Sequence, residues 1–168
     1  MTDIQPLLEQ ILASQPKVAI LGCGSVLRCD DAAGTEIALR LADLSGRARA
    51  FAGYVAPENL TGEIKNFAPN LILVIDAIDL GIETGEVRLI EQADITGVSF
   101  STHMLPLKII VDYLHQETGA EIALLGIQSG NLEFMDEMSD GVTRTIDEIT
   151  EMLRSMLTGD FGYNALRS

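Results

Sequence analysis

Several residue types with distinctive chemistry are scarce in this sequence. Its 168 residues include no tryptophan, two cysteines and two histidines. Cys23 and Cys29 are too few for a disulfide framework or a four-cysteine zinc site, so both of these protein classes are excluded. Any histidine chemistry must come from His103 or His115.

Positive charge is also scarce. The chain has 11 lysine and arginine residues against 25 aspartate and glutamate residues, which gives a formal net charge of −14. A protein that binds a nucleic-acid backbone needs cations to neutralise phosphates, so the charge argues strongly against that function. It favours a small molecule or a protein partner with a basic contact region.

Long apolar segments are absent as well. No run approaches the roughly 20 apolar residues that a membrane span requires, and the N-terminus lacks the basic region of a secretory signal. We therefore expect a cytoplasmic protein that does not insert into a membrane. The length predicts a single domain, and a hydrophobic content of 47% is enough for a substantial core.

Hydrophobic periodicity predicts alternating helices and strands. The predicted helices cover residues 3–14, 33–44, 57–67, 104–116 and 140–157. The predicted strands cover residues 18–22, 50–55, 71–79, 86–91 and 121–128. This alternation indicates a three-layer α/β/α sandwich with a twisted, mostly parallel sheet of about five strands. The hairpin-like segment 80–92 suggests that one strand is antiparallel.

Ionisable residues follow three of the predicted strands. The loop ILGCGSVLRCDDAAG at 20–34 contains Asp30 and Asp31, the run at 71–79 contains Asp76 and Asp79, and STHMLPL at 101–107 contains His103. In open α/β sheets, sites form at the carboxyl ends of strands. Two carboxylates and one imidazole could therefore converge there as ligands of a divalent transition metal.

Each of these residues also has a structural interpretation. Asp30 or Asp31 could cap a helix N-terminus, where the macrodipole favours negative charge. Asp76 could bond the backbone of a neighbouring loop, although a carboxylate after an apolar strand is costly to bury without a partner. His103 could be a capping or packing residue.

The loop at 20–34 invites two further functional interpretations. The segment GCG resembles the start of a dinucleotide-binding turn, but Leu27 replaces the third glycine and the following acids would repel a pyrophosphate. Cys23 and Cys29 lie six positions apart and do not form a C-x-x-C redox motif. We expect both cysteines to contribute packing.

An ordered set of motifs resembles the hydrogenase maturation endopeptidases across residues 17–157. The motifs are GSVLRCDDAAG at 24–34, APEN at 56–59, VIDAIDLG at 74–81, GEVRLI at 85–90, THMLPL at 102–107 and LLGIQ at 124–128. The set is most similar to the subgroup that serves the formate-hydrogenlyase, or hydrogenase 3, large subunit. Residues 1–16 form a helical addition to this core, and we expect 158–168 to be a flexible tail.

The resemblance implies a function and a set of functional residues. Members of the family remove the C-terminal extension from the large-subunit precursor of nickel–iron hydrogenases and are grouped with aspartic peptidases. By correspondence with the family motifs, Asp31, Asp76 and His103 would be the metal ligands, and Asp31 and Asp76 the catalytic acids. Asp30 would be a capping or supporting residue. Nickel would arrive inside the precursor as the recognition element, and other divalent metals could take its place.

Three features of the chain bear on this interpretation. Ser25 stands where the family usually has asparagine, and Met104 stands where it often has a polar residue. His115 lies twelve residues after His103, about 120° further round the same predicted helix, and should face elsewhere.

Two alternative functions remain open at this point. The chain could be a non-catalytic module that binds nickel or the precursor, or a small α/β peptidase with unrelated substrates.

Overall fold

Five strands among the described residues form one mixed sheet. The computed structural model describes residues 4–91 and 104–158, with the side chains of 104–106 left out. The strands are β1 (Val18–Cys23), β2 (Ala48–Tyr54), β3 (Leu71–Ile78), β4 (Val87–Glu91) and β5 (Glu121–Gln128). Their order across the sheet is β2-β1-β3-β5-β4, and only the β4–β5 pair is antiparallel. The predicted α/β fold with one antiparallel strand is confirmed.

Helices cover both faces of the sheet. They are α1 (Ile4–Ala13), α2 (Ala33–Arg40), α3 (Thr61–Phe67), α4 (Met104–Thr118) and α5 (Asp140–Thr158). Helices α1, α2 and α5 contribute to the core on one face, while α3 and α4 contribute to the core on the other. Among the described helices, none combines the length and the apolar character needed to cross a membrane.

The central strand β3 shows why an apolar run predicts a strand buried on both sides. Its first five residues, Leu71–Ile75, are all buried. Leu73 and Ile75 belong to the core under α2 and α5, whereas Ile72 and Val74 belong to the core under α3 and α4. Side chains alternate across a strand, so a strand covered on both faces has apolar residues at every position.

Two predicted helices are shorter than expected. The predicted helix 33–44 ends at Arg40 because Leu41, with φ −97° and ψ 10°, leaves the helical region. The predicted helix 57–67 consists of a 3₁₀ turn, Pro57–Leu60, followed by α3. Helix α3 then ends at Phe67, because the next residue, Ala68, adopts a left-handed conformation with φ 51°. Periodicity located both segments but did not resolve these local changes of geometry.

The N-terminal helix α1 is an integral part of the core. Its residues Ile4, Leu8 and Leu12 are buried in the same cluster as α2 and α5. The guanidinium of Arg47 donates hydrogen bonds to the carbonyl oxygens of Leu12, Gln15 and Met156 at 3.2, 3.0 and 2.8 Å. A cation bound to carbonyls at helix C-terminal ends complements the helix dipole. Arg47 therefore ties the end of α1 to the end of α5.

Candidate functional site

A cavity of about 690 Å³ opens at the carboxyl ends of β1 and β3. Asp31 and Asp76 both line it, as do Cys23 and Glu58. The remaining side of the cavity includes Leu107, Ile109 and Ile110 of α4. Two of the acids predicted from the sequence therefore lie in one cavity, at the edge of the sheet where sites form in such folds.

Strand β3 determines which way Asp76 faces. Asp76 lies two residues after Val74 and four after Ile72, so its side chain is on the same face of the strand. Ile72 and Val74 point into the core under α3 and α4. Burial removes the carboxylate from water, and the negative charge of Asp31 adds repulsion. Together they raise the pKa of Asp76 from 3.8 to about 7, against the opposing effect of a backbone hydrogen bond from Ala77. Asp76 can therefore gain or lose a proton near neutral pH.

Asp31 is held by the backbone of the loop that precedes it. Its Oδ2 accepts a hydrogen bond from the Ser25 backbone N–H at 2.8 Å, and its own N–H donates to the Arg28 carbonyl at 3.0 Å. Gly24 has φ +115°, and a Cβ there would lie 1.6 Å from the Asp31 carbonyl oxygen. Only glycine can therefore occupy position 24 in this loop.

A second close approach fixes the start of α2 against the sheet. A Cβ at Gly34 would lie 2.0 Å from the carbonyl oxygen of Ile75, the residue that precedes Asp76. Thr35 Oγ1 donates a hydrogen bond of 2.8 Å to the Gly24 carbonyl. The turn that carries Asp31 and the strand that carries Asp76 are therefore held together through backbone contacts.

Asp30 does not cap a helix, so of its two expected roles, capping or supporting, the capping role is wrong. It is fully buried, and its carboxylate accepts four hydrogen bonds from the segment between β5 and α5. The donors are the backbone N–H groups of Gly130, Asn131 and Ser139 and the Ser139 hydroxyl, at 2.7, 2.8, 2.7 and 2.8 Å. Asp31 likewise makes no capping bond, because Arg28 occupies the N-cap position of the 3₁₀ turn Cys29–Ala32.

The two cysteines are both buried and free. Burial, followed by the charges of Asp76, Asp31 and Glu58, raises the pKa of the Cys23 thiol well above its ordinary value. Cys23 is therefore a neutral thiol at the base of the cavity. Cys29 has φ 48°, and its thiol donates to the Glu133 carbonyl at 3.1 Å.

The third predicted ligand, His103, lies outside the described residues. It immediately precedes Met104, the first residue of α4, and that helix lines the cavity through Leu107 and Ile110. Within residues 4–91 and 104–158, no three histidine, cysteine, aspartate or glutamate side chains could together hold a metal ion.

The other two candidate residues have structural partners. His115 Nδ1 lies 2.8 Å from the Ala120 carbonyl oxygen. Asp79 is exposed, and its Oδ1 accepts hydrogen bonds from Gly81 N–H and Gln128 Nε2 at 3.2 and 3.3 Å. Neither residue lines the cavity that contains Asp31 and Asp76.

Sequence reasoning missed most of the cavity wall. Tyr54, Val55 and Leu132 line the cavity and are partly exposed to solvent, with Val55 the most exposed of the three at 74%. Glu58 could have been identified because it follows β2 in the APEN motif. Leu132 lies in an irregular loop after β5, where the apolar residues follow neither a helical nor a strand period.

Fold and cavity together define a class of protein. It is an α/β domain in which two acids share a cavity at the carboxyl ends of adjacent central strands, and one of them titrates near neutral pH. Such an arrangement is suited to carboxylate-dependent acid–base chemistry or to binding a cation.

Comparison with known proteins identifies the family. The profile of the HycI hydrogenase maturation proteases matches residues 51–156. A Methanocaldococcus jannaschii protein whose name places it among hydrogenase maturation proteases is 35% identical over 167 residues, covering 90% of this chain and 98% of the relative. The chain belongs to the hydrogenase maturation protease family and is thus a peptidase by descent.

Two further relatives agree with this assignment. The hydrogenase 3 maturation protease of Escherichia coli K12 is 31% identical over 136 residues, covering 80% of this chain and 86% of the relative. The crystal structure of the NiFe hydrogenase maturation protease HycI from Thermococcus kodakarensis KOD1 superimposes with a TM-score of 0.84 at 31% identity. That superposition covers 91% of this chain and 99% of the archaeal protein.

Proposed function

We propose that the protein is an endopeptidase that removes the C-terminal extension of a nickel-loaded nickel–iron hydrogenase large-subunit precursor. The observation that carries the proposal is the shared cavity of Asp31 and Asp76, with the pKa of Asp76 raised to about 7. Family membership supports the peptidase activity, and the names of the relatives support hydrogenase maturation. The precursor is the corresponding protein partner.

In this proposal nickel is part of the substrate. The oxygen donors of Asp31 and Asp76, together with the imidazole of His103, would complete the coordination of nickel already inserted in the precursor. Nickel accepts such mixed nitrogen and oxygen ligands. A cation in the cavity would also relieve the two unfavourable effects on ionised Asp76, which are desolvation and repulsion by Asp31. Cleavage would then depend on metal loading, because an empty precursor lacks the shared ion.

The two acids would supply the proton chemistry of an aspartic-type peptidase. The carboxylate of Asp76 can accept a proton from an attacking water and return it to the leaving amine. The pKa of about 7 describes the cavity without a cation, and bound nickel would lower it by favouring the ionised form. Asp76 is suited to this role, while Asp31 maintains the negative charge that tunes it. The backbone bond from Ser25 keeps Asp31 oriented during the reaction. Free Cys23 and Cys29 agree with action in the cytoplasm, a compartment that keeps thiols reduced.

A cleavage assay tests the proposal directly. Purified protein is mixed with the nickel-loaded precursor and, in parallel, with the same precursor prepared without nickel. We expect loss of the C-terminal extension only from the loaded form, detected by intact mass spectrometry. Equal cleavage of both forms would contradict nickel recognition. Binding without cleavage would favour a non-catalytic module, and cleavage of generic peptides would favour an unrelated peptidase.

The role of His103 needs a measurement that does not depend on cleavage. Isothermal titration with nickel or cadmium compares His103→Ala with His115→Ala, which removes an imidazole bonded to Ala120. We expect His103→Ala to weaken metal binding at least tenfold and His115→Ala to leave it within twofold of the unmodified protein. Equal affinities in all three proteins would remove His103 from the ligand set.

A further inference from the structure

The segment between β5 and α5, residues 129–139, forms part of the cavity rim and is called the rim segment below. Leu132 lines the cavity beside the two acids. The next apolar side chains, Phe134 and Met135, are 65% and 76% exposed. Leu132 is therefore the apolar side chain that the rim segment contributes to the cavity.

Backbone hydrogen bonds hold the rim segment against the turn that carries Asp31. Asp30 N–H donates to the Asn131 carbonyl at 3.1 Å, and Met135 N–H donates to the Leu27 carbonyl at 2.9 Å. Arg28 Nε donates to the Leu132 carbonyl at 3.2 Å. The rim segment thus follows the turn from Leu27 to Asp30 along its length.

The carboxylate of Asp30 is the buried anchor of this arrangement. Its four hydrogen bonds come from both ends of the rim segment, with Gly130 and Asn131 at one end and Ser139 at the other. A fully buried carboxylate is costly unless donors satisfy it, and here the donors all belong to one segment. The bonds bring the two ends of the rim segment together and so determine the loop between them.

We propose that Asp30 is a positioning residue for substrate binding, which holds the rim segment so that Leu132 contacts an apolar part of the precursor peptide beside the cleavage point. This inference rests on the proposed function, because it assigns the cavity to the precursor. Asp30 touches neither the substrate nor the reacting atoms. Its effect passes through the backbone of the rim segment to Leu132.

Positioning by Asp30 is separable from the orientation of Asp31. The Asp31 carboxylate accepts a hydrogen bond from the Ser25 N–H, and the Asp31 N–H donates to the Arg28 carbonyl. Neither bond involves the Asp30 side chain. A change in the Asp30 carboxylate should therefore alter substrate binding more than the chemical step. In kinetic terms, the loss of uniform binding raises KM and leaves kcat nearly unchanged.

The test uses Asp30→Asn in the full chain. Each carboxylate oxygen of Asp30 accepts at least one N–H bond, so the amide NH₂ must face a donor in either orientation. We expect faster hydrogen exchange at the amides of Gly130, Asn131 and Ser139. With nickel-loaded precursor, KM should rise at least tenfold while kcat stays within threefold. A fall in kcat at constant KM, or unchanged kinetics despite faster exchange, would overturn the proposal.

Two matched variants distinguish positioning from general destabilisation. Leu12→Ala creates a cavity in the core beneath α1 and should lower the melting temperature without changing KM. Leu132→Ala should raise KM on its own and add less than threefold to the effect of Asp30→Asn, since both act on one contact. Two results would contradict positioning. One is a rise in KM for Leu12→Ala as large as that for Asp30→Asn. The other is a double variant whose rise in KM equals the product of the rises for Asp30→Asn and Leu132→Ala.

A milder variant serves if Asp30→Asn fails to fold. Ser139→Ala removes only the hydroxyl among the four donors, so a two- to fivefold increase in KM is expected and an unchanged KM would count against the proposal. The unmodified protein separates the two levels of inference. If it does not cleave the precursor, the proposed function fails. If it cleaves and Asp30→Asn cleaves with the same KM, only the positioning role fails.

Discussion

Two carboxylates at the same edge of the sheet, Asp30 and Asp76, are treated in opposite ways by the fold. Asp30 is fully buried and receives four hydrogen bonds, so both of its side-chain oxygens have donors within the protein. Asp76 lies on the cavity wall near Asp31, and burial together with that charge raises its pKa to about 7. The fold thus gives one carboxylate a full set of hydrogen-bond donors and makes ionisation of the other unfavourable.

The difference separates an acid that bonds to the protein from an acid that is a candidate for chemistry. A carboxylate with complete internal partners has little further capacity to interact with a ligand. A carboxylate with a perturbed pKa in a cavity is a candidate for chemistry, because a proton or a cation can relieve its unfavourable charge. Neighbouring positions in the sequence, such as Asp30 and Asp31, can therefore have unrelated roles.

The largest expected effect is a loss of cleavage rate in the variants Asp76→Ala and Asp31→Ala. Each change removes one of the two acids in the cavity, so we expect at least a 1000-fold loss of cleavage rate, about 4 kcal/mol in the activation barrier. Cleavage of nickel-loaded precursor is measured by mass spectrometry, with circular dichroism to check the fold. His115→Ala is the control and should process within twofold. Normal processing by Asp76→Ala would show that Asp76 does not take part in cleavage, and the contrast drawn between Asp30 and Asp76 would then fail.

The next largest effect concerns stability. Asp30→Ala leaves three backbone N–H groups and a hydroxyl without their acceptor, so we expect a loss of about 2–4 kcal/mol in the free energy of unfolding. Asp31→Ala removes one hydrogen bond from Ser25 and a repulsive charge beside Asp76, so its change should stay within about 1 kcal/mol. Urea denaturation measures both values. Equal losses would show that the two acids are not distinguished by their partners.

Most of the fold could be predicted from the sequence because hydrophobic periodicity reports burial directly. The strand at 121–128 was located at its observed ends, and β3 was located to within one residue. For the site, position after a strand pointed to Asp76 and to the pair Asp30 and Asp31, and the family resemblance then favoured Asp31. The partners of Asp30 could not be predicted, since they lie about a hundred residues away and are mainly backbone groups that any sequence would supply.

The pH dependence of stability tests the unfavourable charge on Asp76. The pKa in the folded protein, about 7, exceeds the ordinary 3.8, so the folded state binds more protons between these values. Stability from this group therefore falls as pH rises through that interval. Asp76→Asn removes this titrating group, so its free energy of unfolding should not fall in the same way. The difference in unfolding free energy between the variant and the unmodified metal-free protein should shift in favour of the variant by about 1–3 kcal/mol from pH 5 to pH 8. Parallel stability curves for the two proteins would indicate an unperturbed Asp76.

The smallest effect is expected at Ser25. Its backbone N–H, rather than its hydroxyl, donates to Asp31, and the hydroxyl accepts only a 3.3 Å bond from Leu27 N–H. Ser25→Ala should change the unfolding free energy by less than about 0.5 kcal/mol and the cleavage rate by less than threefold. Ser25→Pro, which lacks the N–H, should reduce cleavage much further. Equal activity of the two variants would mean that this bond does not orient Asp31.

The hydrogen bonds of Arg47 to the ends of α1 and α5 have a practical consequence for handling the protein. Arg47 directly precedes β2 and binds the Met156 carbonyl, so the last turn of α5 lies near the amino ends of the parallel strands. The cavity opens at their carboxyl ends, at the opposite edge of the sheet. Immobilising the protein through a label on the last turn of α5 would therefore leave the cavity facing the solution. Surface-based measurements of precursor capture can be made in that orientation.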